Sequence, residues 1–490
     1  MKTITKFVFI FCSLLFAGNS YAQLKVKGIV VYIDFSDTPA WVTPARLDSL
    51  FNGVTYSELG AERSVRAYWR QQSRGKIDFT HDIFFYRAPR KRSYYQTLQW
   101  YDGVEMMMGA LTWIAKNNPD MDWYSYTLSD NTKIPNGLDD GFIQSVHFIL
   151  SDEIPGSGGT HMKEWTAPNE YKTQKLEAIT LHSWWDPTPV NISPICHEMG
   201  HSIFGVPDTY DNDGSSDGTG VYSLMSAGAP DAEPFGAPFL AQFNWVKVIK
   251  LSGGTQRIKL IADGDSVVKY VDPKNPAEFF TIEARKKSTI GNSLLSTDIG
   301  LIIWHTDNLV TTSNTLEDMT LKKHYRHSIE QADGKFDLER NNTNRGDAGD
   351  MYVPGTSFTS TTTPNSKWWK NTESGLSVTN IAITGDEVSF DLQTPNLITA
   401  TVEPQRKVTE LKAFPNPTKG LLYVNIPDGV TGTVDISVSN TVEVEVLSKS
   451  INTKGNSTFE LDLSGISKGL YTVCLKSNSN TNKCIKIIVE

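Results

Sequence analysis

The pentapeptide His197-Glu198-Met199-Gly200-His201 ties this chain to one local geometry. Two imidazoles four residues apart meet on one face when the segment is α-helical. With a glutamate beside the first, the H-E-x-x-H pattern suits a Zn²⁺ ion gripped by His197 and His201, with Glu198 as base toward an activated water. Zinc brings the pKa of such a water to about 7, where a carboxylate can take its proton and pass it to a leaving amine. The flanks predict the helix ends. Ser193 suits the N-cap, Pro194 the first helical position and Gly205 the stop, and Pro207 keeps the helix from resuming. Composition alone would produce this pattern in about one chain in a hundred of this length, as two solvated histidines on a surface helix. The neighbouring residues therefore have to decide.

A catalytic zinc takes three protein ligands and keeps one position open. Asp208 is the best third ligand at the helix exit, followed by Asp211. Asp211, Asn212, Asp213 and Asp217 crowd one loop, an oxygen-rich set that suits Ca²⁺ and equally suits plain turns. Met225 stands where a polarizable thioether would floor the histidines without ligating the metal. Tyr210 and Tyr222 each offer a phenol for the oxyanion of hydrolysis, or else a half-buried aromatic ring.

Taken in order, His197-Glu-Met-Gly-His201, Gly205-Val-Pro-Asp208-Thr-Tyr-Asp211 and Ser223-Leu-Met225-Ser-Ala-Gly228 resemble the immune inhibitor A family of secreted bacterial metalloproteases. Other blocks are similar too: Val30-Val-Tyr-Ile-Asp34-Phe-Ser-Asp37, Ser64-Val-Arg-Ala-Tyr68-Trp69-Arg-Gln-Gln-Ser73-Arg-Gly75, Asp139-Asp-Gly-Phe142, Phe280-Thr-Ile-Glu283-Ala-Arg285, Gly300-Leu-Ile-Ile-Trp-His305 and Arg345-Gly-Asp347-Ala-Gly-Asp350. They span roughly residues 25–395. The resemblance implies an α+β fold with a zincin- or metzincin-like catalytic domain and a zinc cofactor. It also implies His197, His201 and Asp208 as ligands, Glu198 as catalytic base and Met225 as the turn methionine. The chain departs from the family at Phe204, an extra residue that sets Asp208 seven positions after His201. One residue added to a helical turn rotates the exit by about 100° and advances it by about 1.5 Å. His161 and Asp211 are the fallback ligands.

The ends of the chain speak of export. Lys2 and Lys6, an apolar run from Phe7 to Gly18 and a small-residue exit at Ala22 read as a secretory signal peptide cut after Ala22. That run is short for a bilayer span, and no other stretch is long and apolar enough to cross a membrane. Thr401–Lys407 is a polar linker containing Pro404. Beyond it, Pro415-Asn416-Pro417, Gly469-Leu-Tyr471 and a last basic strand Cys484–Val489 punctuate alternating patterns that predict a small β-sandwich. This region resembles the sorting domains read by the type IX secretion system, which implies a Bacteroidota-type cell and a domain that serves as an address.

The formal charge is −9, and −11 without Lys2 and Lys6, with no basic stretch. Nucleic acid and anionic membrane are therefore poor partners. Of four cysteines, Cys12 lies in the signal, Cys474 and Cys484 suit a pair on adjacent strands, and Cys196 reads as a small buried hydrophobe. Gly28–Phe35 and Ser145–Leu150 read as buried strands. Residues 61–73 read as a helix with Val65, Tyr68 and Trp69 on one stripe, and 104–116 as a buried helix whose methionines fill core. Short strands dominate 251–395, where Asp347-Ala-Gly-Asp350 either holds Ca²⁺ or turns the chain. The expected organisation is a signal at 1–22, a catalytic domain at 23–250, a β-rich accessory domain at 251–395, a linker at 396–408 and a sorting domain at 409–490. The function that follows is a secreted zinc endopeptidase acting on extracellular protein. Two rivals stand beside it: a secreted binding or adhesion protein with an idle site, and a zinc hydrolase of small peptides. Intact Glu198 speaks against the first, and the family-like blocks against the second.

Overall fold

The computed structural model describes residues 23–55, 63–96, 103–126, 142–143, 145–152, 160–162, 175–176, 178–183, 192–226, 233–286, 299–310, 319–321, 323–340, 344–347, 349–395, 411–414, 416–418, 420–426, 432–440, 444–453, 457–477 and 482–489. The expected signal segment and linker lie outside them. The chain divides into two compact units, Met1–Pro395 and Asn396–Glu490.

The first unit is mixed α and β. Its leading sheet runs β2-β1-β4-β7-β5. Strands β1 (Leu24–Asp34), β2 (Ile77–Arg87), β4 (Val146–Leu150) and β7 (Ala178–Ser183) are parallel, and β5 (Thr160–Met162) is an antiparallel edge. A short parallel pair, β3 (Phe142–Ile143) and β6 (Lys175–Leu176), stands apart. Parallel neighbours need crossovers. Helices α1 (Pro44–Asn52) and α2 (Val65–Gln72) join β1 to β2; α3 (Arg92–Gln96) and α4 (Gly103–Asn117) lie between β2 and β4. Strand side chains alternate, so β1 feeds two cores. Val30 and Tyr32 join Tyr68 and Trp69 of α2 on one face. Ile29, Val31 and Ile33 join Met106, Leu111 and Ile114 of α4 on the other. The Ser64 side chain caps α2 by accepting from the Ala67 amide at 2.9 Å. Helix α5 (Ser193–Phe204) follows β7 and sets Cys196, Met199 and Ile203 into the Trp69 core.

Helix α6 (Ala237–Gln242) leads to β8 (Lys247–Ile249), β9 (Gly254–Ile261), β10 (Ser266–Val271), β11 (Glu278–Lys286) and β12 (Ile299–Asp307). Strand β13 (His327–Ile329), helix α7 (Asp337–Arg340), β14 (Ser377–Thr384) and β15 (Glu387–Thr394) complete the unit. They form sheets β13-β12-β11-β10-β8 and β14-β15-β9. Val267, Ile302, Trp304, Ile329 and Leu338 belong to the same apolar cluster as Trp69 and Ile203. The expected boundary at 250 is thus no break between compact units, because the β-rich half completes the core beneath α5.

The second unit sets sheet β16-β17-β20 (Lys412–Phe414, Leu421–Ile426, Ser457–Asp462) beside sheet β19-β18-β21-β22 (Glu445–Thr453, Gly432–Asn440, Gly469–Ser477, Asn482–Val489). Leu422, Val424 and Leu461 of the first share one core with Val434, Val473 and Ile487 of the second, a sandwich-like arrangement. Asn416 explains the proline-bounded turn. Its side-chain amide donates to the Lys486 carbonyl and accepts from the Ile488 amide, each at 2.9 Å, so it pairs with the edge of the last strand. Cys474 and Cys484 are cross-strand neighbours joined by a disulfide.

Beneath Gly28, the buried His81 and His147 both meet the Ser145 hydroxyl, at 3.1 and 2.7 Å. Burial drives the His81 pKa down to about 3, against about 6.5 for a free imidazole. The neutral form is thus favoured on folding. Its stabilisation is complete above about pH 6.5 and is lost as pH falls toward 3. Urea midpoints measured from pH 4.5 to 8 are expected to fall more steeply with acid in the wild type than in His81→Gln. Parallel profiles would contradict this account.

Candidate metal centre

Helix α5 starts at Ser193, one residue before expectation, so Ser193 is helical rather than its cap. Ile192 precedes it with φ −80° and ψ −8° and makes no side-chain cap; its buried side chain carries the chain into the core. The exit is as the glycine predicts. Gly205 adopts φ +62°, and its amide donates to the Gly200 and His201 carbonyls.

His197 and His201 sit one turn apart with their rings meeting at 4.9 Å between centroids. Nδ1 of His197 lies 2.9 Å from the Leu224 carbonyl, and Nδ1 of His201 lies 2.7 Å from the Val206 carbonyl. A carbonyl only accepts, so both Nδ1 atoms carry the proton and both Nε2 atoms turn a lone pair inward. Those two Nε2 atoms are 3.2 Å apart, and Asp208 Oδ1 stands 3.1 and 2.9 Å from them. Among the described residues, this is the one group of three or more His, Cys, Asp or Glu ligand atoms drawn together. Three acceptors facing one point repel unless a proton or a cation lies between them. Donors on a tetrahedron with bonds of about 2.0–2.1 Å stand about 3.3–3.4 Å apart, so the triangle is close to the size zinc asks for. Carbonyls behind metal-facing imidazoles are the usual second layer of such a site.

The protonation balance follows the same geometry. Burial opposes charge on His201, but the Asp208 hydrogen bond and charge outweigh it and raise its pKa. Burial likewise opposes charge on Asp208, but when protons occupy the imidazole Nε2 atoms in place of a cation, their hydrogen bonds and charge prevail and hold its carboxyl well below the usual range.

The extra residue at Phe204 does not throw Asp208 off. The Phe204 ring is buried and packs 4.7 Å from Trp69 and 5.1 Å from Trp245, while Gly205 turns the chain back left-handed. Asp211, the fallback ligand, is spent elsewhere: its carboxylate accepts from the Ser216 amide at 2.7 Å and the Ser215 hydroxyl at 2.8 Å. The His161 side chain lies outside the described residues. Asp213 and Asp217 do not join a ligand cluster with Asp211. Asp350 accepts from the Tyr222 phenol and the Asp347 amide, both at 2.8 Å. That contact takes Tyr222 into the core and away from the histidines. Tyr210 lies at the site, its ring stacked on His197 at 6.1 Å. Burial, then the Asp208 charge and hydrogen bond, push its phenol up to about 12. Half-buried Glu198 contributes to the pKa of both His201 and Tyr210.

Met225 is fully buried below the helix. A Cβ on Gly200 would run into its Sδ, so the glycine between the histidines is what lets the methionine approach. The Met225 carbonyl accepts from the Thr209 amide at 2.7 Å, beside Asp208. Leu224 and Met225 thus orient one histidine, support the helix and fasten the loop of the third acceptor. The Leu224 and Val206 carbonyls left no mark in the sequence, because any residue type supplies a carbonyl.

Residues 412–490 match the family model of the secretion system C-terminal sorting domain. The protein is therefore exported through the type IX secretion system, to the medium or the cell surface. No helix among the described residues is long and apolar enough to cross a membrane. No curated protein matches the chain. Among solved structures, one similarity is to a DUF3244 family protein with an immunoglobulin-like β-sandwich from Bacteroides vulgatus, at 10% identity over 16% of this chain and 83% of that one, with a TM-score of 0.15. Another is to an endonuclease/exonuclease/phosphatase from Beutenbergia cavernae, at 11% identity, 24% and 36% coverage and a TM-score of 0.12. A third is to the ectodomain of the C. elegans fusion protein EFF-1, at 13% identity, 49% and 60% coverage and a TM-score of 0.12. Similarities this weak carry no argument about fold or activity.

Gly200→Ala is expected to cost about 1–3 kcal/mol through overpacking. In Met225→Ala the space is relieved, so the double variant should be more stable than the sum of the two losses predicts, by about 1 kcal/mol. Chemical denaturation of all four proteins measures the coupling; strict additivity would show that the two residues do not press on each other.

Proposed function

We propose that the protein is a secreted zinc-dependent endopeptidase acting on extracellular proteins. The observation that carries this reading is the inward convergence of three acceptors, His197 Nε2, His201 Nε2 and Asp208 Oδ1, within 2.9–3.2 Å of one another. Two imidazoles and one carboxylate are a donor set that zinc favours, and His197, His201 and Asp208 would hold it. A Zn²⁺ ion bound there supplies Lewis acidity and lowers the pKa of water in its open position.

The chain's own residues do the rest. Glu198 follows His197 on the helix and leaves the ligand positions to its neighbours, so in this reading it takes the proton of the attacking water. It then returns that proton to the departing amine nitrogen. Tyr210 is the phenol beside Asp208 and donates to the oxyanion that develops on the peptide carbonyl. The Leu224 and Val206 carbonyls keep both imidazoles from rotating between turnovers. The resemblance to the immune inhibitor A family supports a polypeptide substrate over a small one.

Casein hydrolysis by the purified protein should stop with a chelator and return with added zinc. Glu198→Ala is expected to keep stoichiometric zinc and its melting temperature while losing activity about 10²–10⁴-fold, because it removes a base and no ligand. His201→Ala and Asp208→Ala should lose zinc as well. A Glu198→Ala protein as active as the wild type would sink the mechanism, and a folded wild type without zinc after reconstitution would sink the site.

A further inference from the structure

The β-rich half of the first unit carries a partly open cavity of about 580 Å³, lined by none of the metal-centre residues. Its inner end is formed by buried polar side chains. His305 is 1% exposed, Glu339 2% and Glu330 8%, and all three line the space. The His305 ring is shared between two carboxylates: Nδ1 is 3.0 Å from Glu330 Oε1, and Nε2 is 3.1 Å from Glu278 Oε1. Glu278 also accepts from the Trp369 amide at 2.6 Å. Glu339 takes a hydrogen bond from the Gln331 side chain. Glu278 and Glu330 thus share one imidazole, and the Glu339 carboxyl is a further buried acid lining the same space. Burial, with the Glu330 charge adding and the Gln331 hydrogen bond opposing, pushes the Glu339 carboxyl up to about 8.

The walls are apolar and aromatic. Phe336, Trp368 and Trp369 line them, but the tryptophan faces are already covered. Trp369 is stacked between His305 at 4.5 Å and His324 at 4.2 Å, and Trp368 between Phe280 at 5.0 Å and Tyr270 at 5.6 Å. A sugar ring, which needs a free indole face, has no platform here. Three cations also line the cavity. Arg340 lies over the Phe336 ring, Lys367 is 3.5 Å from Glu373, and Lys370 is exposed.

We propose that this cavity is a binding site for an alkyl-ammonium or alkyl-guanidinium group, such as a lysine or arginine side chain of a polypeptide. The alkyl stem would lie along the aromatic edges and the cation would reach Glu330 and Glu339, with Glu339 releasing its proton to solvent as the cation arrives, which pairs apolar wall with apolar stem and buried carboxylate with charge. The site is independent of the zinc reading, since it shares no residue with it.

Isothermal titration of the full-length protein with Nα-acetyl-lysine amide, agmatine and the neutral Nα-acetyl-norleucine amide tests this. Both cationic probes are expected to bind at least about tenfold more tightly than the norleucine probe. Glu330→Gln and Glu339→Gln should each weaken the cationic probes by about tenfold or more, leave the norleucine probe unmoved and leave zinc content unchanged in the folded protein. Should one variant fail to fold, the other variant and the wild-type ranking of the three probes still decide. Equal binding of lysine and norleucine probes, no binding of either, or cationic binding indifferent to a folded glutamine variant overturns the proposal.

Discussion

Two imidazoles can serve one ion only if each is held from behind. In this protein that hold comes from backbone carbonyls, Leu224 behind His197 and Val206 behind His201. Neither carbonyl belongs to the helix that carries the histidines. One comes from the chain leaving α5, the other from the turn that contains Met225. The inward direction of both lone pairs therefore depends on how that turn and that exit pack against the helix. Gly200 makes the packing possible, since it leaves room for the Met225 thioether. The Thr209 amide then ties the exit loop to the methionine, and Asp208 arrives beside the histidines.

The support extends well beyond the turn. Trp69 of α2 touches Phe204 and Phe235, and its indole donates to Met199 Sδ at 3.3 Å. Buried Arg285 of β11 donates to the Tyr222 carbonyl at 2.9 Å and to Glu283 at 2.7 Å, linking the β-rich half to the loop that returns to Met225. This is why residues past 250 belong to the body that holds the site. The second unit is different. Its core is its own, and its motif residues act within it, Asn416 by covering a strand edge and the cysteines by joining strands β21 and β22.

Much of this was legible in the residues. The stripe of Val65, Tyr68 and Trp69, the apolar run of β1 and the left-handed stop at Gly205 each follow from periodicity or backbone sterics, which act locally. The choices left open were tertiary. Tyr222 looked as fit for an oxyanion as Tyr210, but Asp350, far along the chain, claims its hydroxyl. Asp211 ranked second to Asp208 for the metal, and its oxygens accept from the Ser215 hydroxyl and the Ser216 and Asp213 amides. The buried carboxyl group of residues Glu278, Glu330 and Glu339 gave no sequence signal, since their spacing matches no ligand pattern.

The sequence by itself determined the helix, the spacing of its histidines, the glycine that ends it and the export address at the C-terminus. These depend on backbone geometry and on short-range pattern. Tertiary structure alone decided which aspartate completes the triangle, which tyrosine stays at the site and which carbonyls fix the imidazoles. Those choices are competitions among chemically equal groups, and distance in the folded chain, not identity, separates the winners from the rest.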